Sequence, residues 1–177
     1  AIVLREATRR AGVSPNAAYR HFADRQELLV AVSAVAQGLA ANAMENSYSA
    51  VIPSGDPVQD ARNGLRAVGA GYLRFAQDEP GLFRTAFSVP DDLKNSGSPA
   101  KAGTAGHTPF QLVSIAIDRL VKVNYLPPER RPGAEFLAWS AVHGLGMLII
   151  DGPLRGLTPE MIASASSKLL DMVDRGL

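Results

Sequence analysis

The residues whose types and spacing carry chemistry gather in residues 4–29. Gly12 can take the left-handed backbone conformation that ends one helix and lets the next cross it steeply. Val13 is expected to tuck into the angle between the two helices. Ser14 followed by Pro15 is a strong helix start, because serine caps free N–H groups and proline presets φ at the first helical position. A helix launched in this way can present its first turns to a DNA major groove. Ala17 and Ala18 keep it slim, Tyr19 and His21 leave it with polar tips at phosphate distance, and Phe22 is expected to anchor its end in the core. Residues 1–30 hold Arg5, Arg9, Arg10, Arg20 and Arg25 against Glu6, Asp24 and Glu27, a modest basic patch in a chain of net charge +1. Within that patch, Arg9 and Arg10 fit a solvated helix face better than a contact surface.

The elements that must position these residues are helical, since no convincing alternating, β-branched run interrupts the pattern. A first helix is expected over residues 3–10 and a second over 15–21. Asp24 with Glu27 opens a long third helix, 24–46, in capping-box fashion. Pro53, Gly55 and Pro57 mark a break, followed by a helix over 58–77 whose stripe is Ala61, Leu65, Val68, Tyr72 and Phe75. Pro80 and Gly81 start a short helix, 82–87. Residues 95–109 are small or polar without a large apolar anchor, and they predict a mobile loop, able in principle to gate a pocket. Helices follow over 110–124, 132–151 and 158–176, the last with Ile162, Ala165, Leu169, Met172 and Val173 as its stripe. The division is then a DNA-binding module with its connecting helix, 1–46, and a larger helical domain, 47–177.

Several function classes lose ground on composition. With no cysteine, neither disulfides, thiolate catalysis nor a zinc ribbon is available. There is no nucleophile elbow, Gly-rich phosphate loop or His/Asp/Glu cluster at metal spacing, so neither catalysis nor a metal or other cofactor is expected. His143 lies four residues from Trp139, but the other histidines, His21 and His107, fall in the turn motif and the loop. No secretory signal opens the chain. Residues 136–150 read as the longest uncharged apolar stretch, short of the roughly 20 residues a membrane span needs. A cytoplasmic protein without a membrane partner is the expectation.

Three pieces, Ala11-Gly12-Val13-Ser14, Ala18-Tyr19-Arg20-His21-Phe22 and Asp24-Arg25-Gln26-Glu27-Leu28-Leu29, resemble in residues and spacing the DNA-binding domain of TetR-family regulators. Glu79-Pro80-Gly81-Leu82-Phe83-Arg84 and Trp139-Ser140-Ala141-Val142-His143-Gly144 are similar to segments of one C-terminal class of that family, with a Trp…His-Gly signature. The resemblance implies an all-α fold, a bacterial source, a homodimer, and a repressor released from a palindromic operator by a small effector. It implies that Ser14, Tyr19, His21 and Arg25 hold phosphates while Arg5, Pro15, Asn16, Ala17 and Arg20 face base edges. Arg5 and Arg20 suit the guanine O6 and N7 acceptors, and Asn16 suits adenine. The family's helix ahead of this motif is missing from this chain, and Ala7 and Thr8 stand where a larger aliphatic residue and an alanine are usual, so a loosely packed first helix is expected.

The family places its pocket among the C-terminal helices, which makes Tyr72, Phe75, Phe83, Phe87, Phe110, Ile117, Trp139 and His143 the candidate ligand-binding set. Each aromatic taken singly is more often core, and His143 more often a structural histidine at a helix junction. Arg74, Gln77 and Asn124 are the polar groups that could orient a ligand, and an apolar lining points to a hydrophobic effector. Gly144 and Gly146 inside one helix each cost on the order of 1 kcal/mol against alanine, which close approach of another helix would offset. The last two helices are therefore expected to build a four-helix dimer interface. The competing reading is a helical adaptor that does not bind DNA.

Overall fold

The computed structural model describes residues 4–177, so Val3, the expected first residue of the first helix, lies outside the described residues. Among the described residues there are eight α-helices and no strand: α1 (Leu4–Arg10), α2 (Pro15–Ala18), α3 (Arg25–Ser49), α4 (Pro57–Asp78), α5 (Pro80–Ser88), α6 (Pro109–Lys122), α7 (Ala134–Ile150) and α8 (Pro159–Gly176). The all-α expectation holds. Short 3-10 turns at Leu93–Asn95, Pro99–Lys101 and Pro128–Arg130 complete the chain. The helix α2 is shorter than expected, because after Ala18 the backbone tightens into i→i+3 bonds, Arg20 N–H to the Ala17 carbonyl and His21 N–H to that of Ala18.

The helix α3 begins where its sequence says it should. The Asp24 carboxylate accepts from Glu27 N–H at 2.8 Å, and Glu27 reaches back to Ala23 N–H. Its uncharged run, 28–44, is longer than 136–150, which corrects the ranking of apolar stretches above. By length and composition alone α3 is long and apolar enough to cross a membrane, but it is the spine of this core, with Ala36, Ala40 and Ala41 fully buried. Small residues on that face let α4 come very close. A Cβ on Gly71 would stand 2.5 Å from the Ala43 carbonyl oxygen and 2.7 Å from Met44 Cα.

Around this pair the expected stripes pack. Ala61, Leu65, Val68, Tyr72 and Phe75 of α4 are all buried, as are Val113, Ile117 and Leu120 of α6. Thr108 and Gln111 form a full capping box at the start of α6. In α7 the buried line is Ala134, Ala138, Val142, Leu145 and Ile149, the i, i+4, i+8 pattern of one helical face. Gly146 is accounted for within the chain, since the Phe83 ring lies 3.2 Å from where its Cβ would be. Gly144 faces open space. On α8 the expected Ile162, Leu169 and Val173 pack half-buried against the core, but Met172 is exposed and the fully buried positions are Leu170 and Asp174. The reason is a notch and an ion pair. Leu170 fills the space a Cβ on Gly69 would need, and Asp174 is held by Arg62 at 2.7 Å, with the guanidinium lying over the Tyr125 ring.

Other arginines are ion-paired too, Arg66 to Asp171, Arg84 to Asp151, and Arg131 to both Asp118 and Glu135. Residues 95–109, expected to be mobile for want of an apolar anchor, are docked on α3 by polar groups instead. Asn42 Oδ1 accepts from Thr104 N–H at 2.7 Å, Glu45 Oε2 accepts from Ala105 N–H at 3.2 Å, and Gly38 makes room for the Ala102 carbonyl. Thr8, expected to loosen α1, is buried and donates its hydroxyl to the Arg5 carbonyl.

Two glycine substitutions separate close packing from propensity. Gly71→Ala should lower the urea midpoint by the equivalent of about 1–3 kcal/mol, because the new methyl meets backbone that cannot move aside. Gly81→Ala, in open space at the start of α5, should leave stability unchanged or raise it by up to about 1 kcal/mol.

Candidate functional site

Two regions gather the candidate residues, and α3 joins them. At the N-terminal end, Gly12 adopts φ +69° and ends α1, with Val13 N–H reaching back to the Thr8 carbonyl in the manner of a Schellman cap. Ser14 Oγ accepts from Ala17 N–H at 3.2 Å, so its hydroxyl caps α2 and keeps its own proton available to an outside acceptor. Arg5, Asn16, Tyr19, Arg20, His21 and Arg25 are exposed together with Ser14, while Ala17 is half-buried. Tyr19 is 57% exposed, an unusual position for a large aromatic without an external partner. The Pro15 side chain, also expected at base edges, lies outside the described residues. Val13 is not tucked between helices but 47% exposed, and Phe22 is only half-buried. Arg9 and Arg10 both pair with Glu6, whose carboxyl they hold below its ordinary range.

The second region is a cavity of about 520 Å³ lined by α3, α4, α5, α6, α7 and the segment after α5. That volume is in the range of small-molecule sites. Tyr72, Phe87, Phe110, Trp139 and His143 line it, five of the eight residues in the candidate set. Phe75, Phe83 and Ile117 do not reach it; they belong to the core behind it. Phe83 nevertheless shapes the wall, stacking on the His143 ring at 5.4 Å between centroids. Of the polar candidates, Arg74, Gln77 and Asn124 are all outside the lining. Gln77 is bonded to the Leu73 carbonyl, and Asn124 takes positive φ just beyond α6.

The polar groups at the cavity come from elsewhere. Gln37 of α3 gives its amide N–H groups to Ser33 Oγ and the Ala86 carbonyl. Ser33 also donates to that carbonyl at 2.9 Å. Lys101, buried, is ion-paired with Asp91 and donates to the Asn95 carbonyl at 3.0 Å. That ammonium holds the Asp91 carboxyl below its usual range. Gln37 carried a readable signal, being a polar residue four positions after Ser33 in the apolar run of α3; Lys101 carried none within its small, polar surroundings.

One hydrogen-bonded chain crosses the aromatic wall. Trp139 Nε1–H donates to the Tyr72 hydroxyl oxygen at 3.1 Å, and that hydroxyl lies 2.9 Å from His143 Nδ1. Burial pushes the Tyr72 phenol far above its ordinary value, so it stays protonated. Burial also pulls His143 below its ordinary value, favouring the neutral ring. Among the described residues no group of three His, Asp or Glu side chains could hold a metal ion.

Residues 65–173 match the family model of the tetracyclin repressor-like C-terminal domain. This chain belongs to the tetracycline repressor (TetR) family. The matched span carries most of α4 through α8, and with them the aromatic wall of the cavity. A solved structure, that of a protein with unknown function from Rhodococcus sp. RHA1, is similar at a TM-score of 0.70 and 23% identity, covering 99% of this chain and 84% of that one. At this identity the likeness shows a shared fold. No curated protein matches. As a TetR-family chain this is a regulator of transcription, and α1 to α3 stand ahead of its matched C-terminal domain.

The neutral His143 makes stability depend on pH in a fixed direction. Its folded-state value lies below the ordinary 6.5, so through that window the unfolded chain binds more protons than the folded one, and stability rises with pH. Unfolding free energy should therefore fall as pH drops below about 6.5, and His143→Phe should flatten that fall until the carboxylates titrate. Denaturant titrations at several pH values, compared between the two proteins, check this.

Proposed function

We propose that this TetR-family chain is a homodimeric DNA-binding repressor, released from a palindromic operator by a small apolar effector held in the cavity. The observation that carries the reading is the continuity of α3. Its capped start follows directly on the exposed Tyr19, Arg20 and His21, and three turns further on its Gln37 belongs to the cavity wall. The two are about 18 Å apart along one helix axis. A ligand that favours one placement of α3 must, by linkage, change affinity for anything that reads the α2 end.

At that end, Ser14, Tyr19, His21 and Arg25 hold phosphates, while Arg5, Asn16 and Arg20, with the backbone around Pro15 and Ala17, meet base edges. The repressor works in the cytoplasm, where its operator is. Dimerisation uses α7 and α8, which leave Leu137, Leu148, Met161 and Met172 exposed, with Gly144 open between them. Two α2 helices then meet major-groove faces about one DNA turn apart, or a multiple of it.

Selection of random duplexes by the natural full-length protein should enrich a palindromic consensus, with binding that weakens steeply as salt rises. Tyr19→Ala should lose the enrichment, and Arg20→Ala should cost about 1–3 kcal/mol and relax preference at one position of each half-site. No enrichment by a folded dimer at low salt would overturn the DNA-binding repressor reading and leave a helical adaptor. Leu148→Glu should yield a folded monomer by sedimentation, and an unchanged dimer would place the interface elsewhere.

A further inference from the structure

The hydrogen-bonded chain across the cavity wall has a direction, and the direction decides what the cavity can hold. An indole N–H only donates, so the Tyr72 oxygen is the acceptor for Trp139. The Tyr72 side chain is 2% exposed, and among the described residues its hydroxyl has one other polar neighbour, His143 Nδ1. Were Nδ1 the donor, the Tyr72 hydroxyl proton would be buried without an acceptor, which is costly. The hydroxyl therefore donates to Nδ1, and the remaining ring proton sits on Nε2. That nitrogen has no protein partner among the described residues, is not among the sealed-in polar atoms, and belongs to a ring that lines the cavity.

Charge narrows the choice further. The lining includes two carboxylates, each with an ammonium partner, Asp91 with Lys101 and Asp92 with Lys94, and its one ammonium, Lys101, is thereby already committed. An anionic ligand would find no uncommitted cation in the lining, and a cationic one would bring a donor to a wall whose open group is itself a donor. We infer that the cavity takes a neutral aromatic molecule with a hydrogen-bond acceptor, a ketone or similar carbonyl, whose oxygen accepts from His143 Nε2–H while its rings lie among Phe87, Phe110 and Trp139. This deepens the reading of the cavity as the effector site and rests on it. Tyr72 is then a positioning residue, fixing which nitrogen of His143 carries the proton.

The chain's one tryptophan, Trp139, is in the wall, so quenching of its emission reports binding directly. Four probes of matched shape separate the classes: naphthalene, acetylnaphthalene, naphthoate and naphthylmethylammonium. Acetylnaphthalene should bind about tenfold more tightly than naphthalene, as one added hydrogen bond allows, and more tightly than either ion. His143→Phe, which keeps the ring stacked on Phe83, should erase the preference while naphthalene still binds. Nitrogen-15 spectra of the histidine ring in the unliganded protein should show an unprotonated Nδ1 and a protonated Nε2, and Tyr72→Phe should mix the two tautomers. Equal binding of naphthalene and the ketone, tightest binding of an ion, or a proton on Nδ1 would overturn the ligand class and leave the cavity as a binding site. No binding of any probe would remove the effector site itself, and this inference with it.

Discussion

The close contact of α3 and α4 is the constraint on which the other contacts depend. At Gly71 the two helices meet backbone to backbone, against Ala43 and Met44 of an α3 whose buried face also carries the small Ala36, Ala40 and Ala41. With α4 seated there, Tyr72 points away from the seam towards α5 and α7, and Phe83 and Phe87 close around its ring at 5.2 and 5.7 Å. The aromatic wall is thus built outward from a seam of small residues. Larger side chains on that face of α3 would push α4 away and open the wall.

The same helix is gripped from two sides by parts of the cavity. Ser33 and Gln37 hold the Ala86 carbonyl near the end of α5, while Asn42 and Glu45 hold the backbone that follows Lys101. Both grips are hydrogen bonds between α3 side chains and loop or helix-end backbone. Directional contacts of this kind fix α3 relative to the cavity wall more sharply than apolar packing would. A change in the wall at Phe87 or Lys101 therefore reaches α3 through few intervening groups.

Much of this was legible in the sequence, for identifiable reasons. The helix start at Asp24 is local chemistry and caps α3 as expected, and the caps at Asp56–Pro57, Thr108–Pro109 and Thr158–Pro159 obey the same rule. The stripes of α4 and α6 follow the helical period because each buries one face. What local pattern could not show was anything decided by a distant partner. Leu170 and Asp174 of α8 are buried beside the expected face because Gly69 and Arg62, more than a hundred residues earlier, supply a notch and a counter-ion. Residues 95–109 lacked apolar anchors, but Asn42 and Glu45 anchor them through backbone N–H groups, a feature invisible to hydropathy. Aromatics divided between core and cavity in the same way: Phe83 and Phe87 are one helical turn apart, and the packing of α4 and α7 put the first behind the wall and the second in it.

The pairing of arginines with carboxylates shapes the molecule's field at long range. Arg62, Arg66, Arg84 and Arg131 are each neutralised at close quarters by an acidic partner, whereas Arg5 and Arg20 stand exposed at the opposite end of the sequence. Behind a net charge of +1, Arg5 and Arg20 keep exposed positive charge beside α1 and α2. That charge acts over distances of the order of the Debye length, about 8 Å at physiological ionic strength. What a polyanion meets at that range depends on which arginines have been neutralised, not on how many the chain carries.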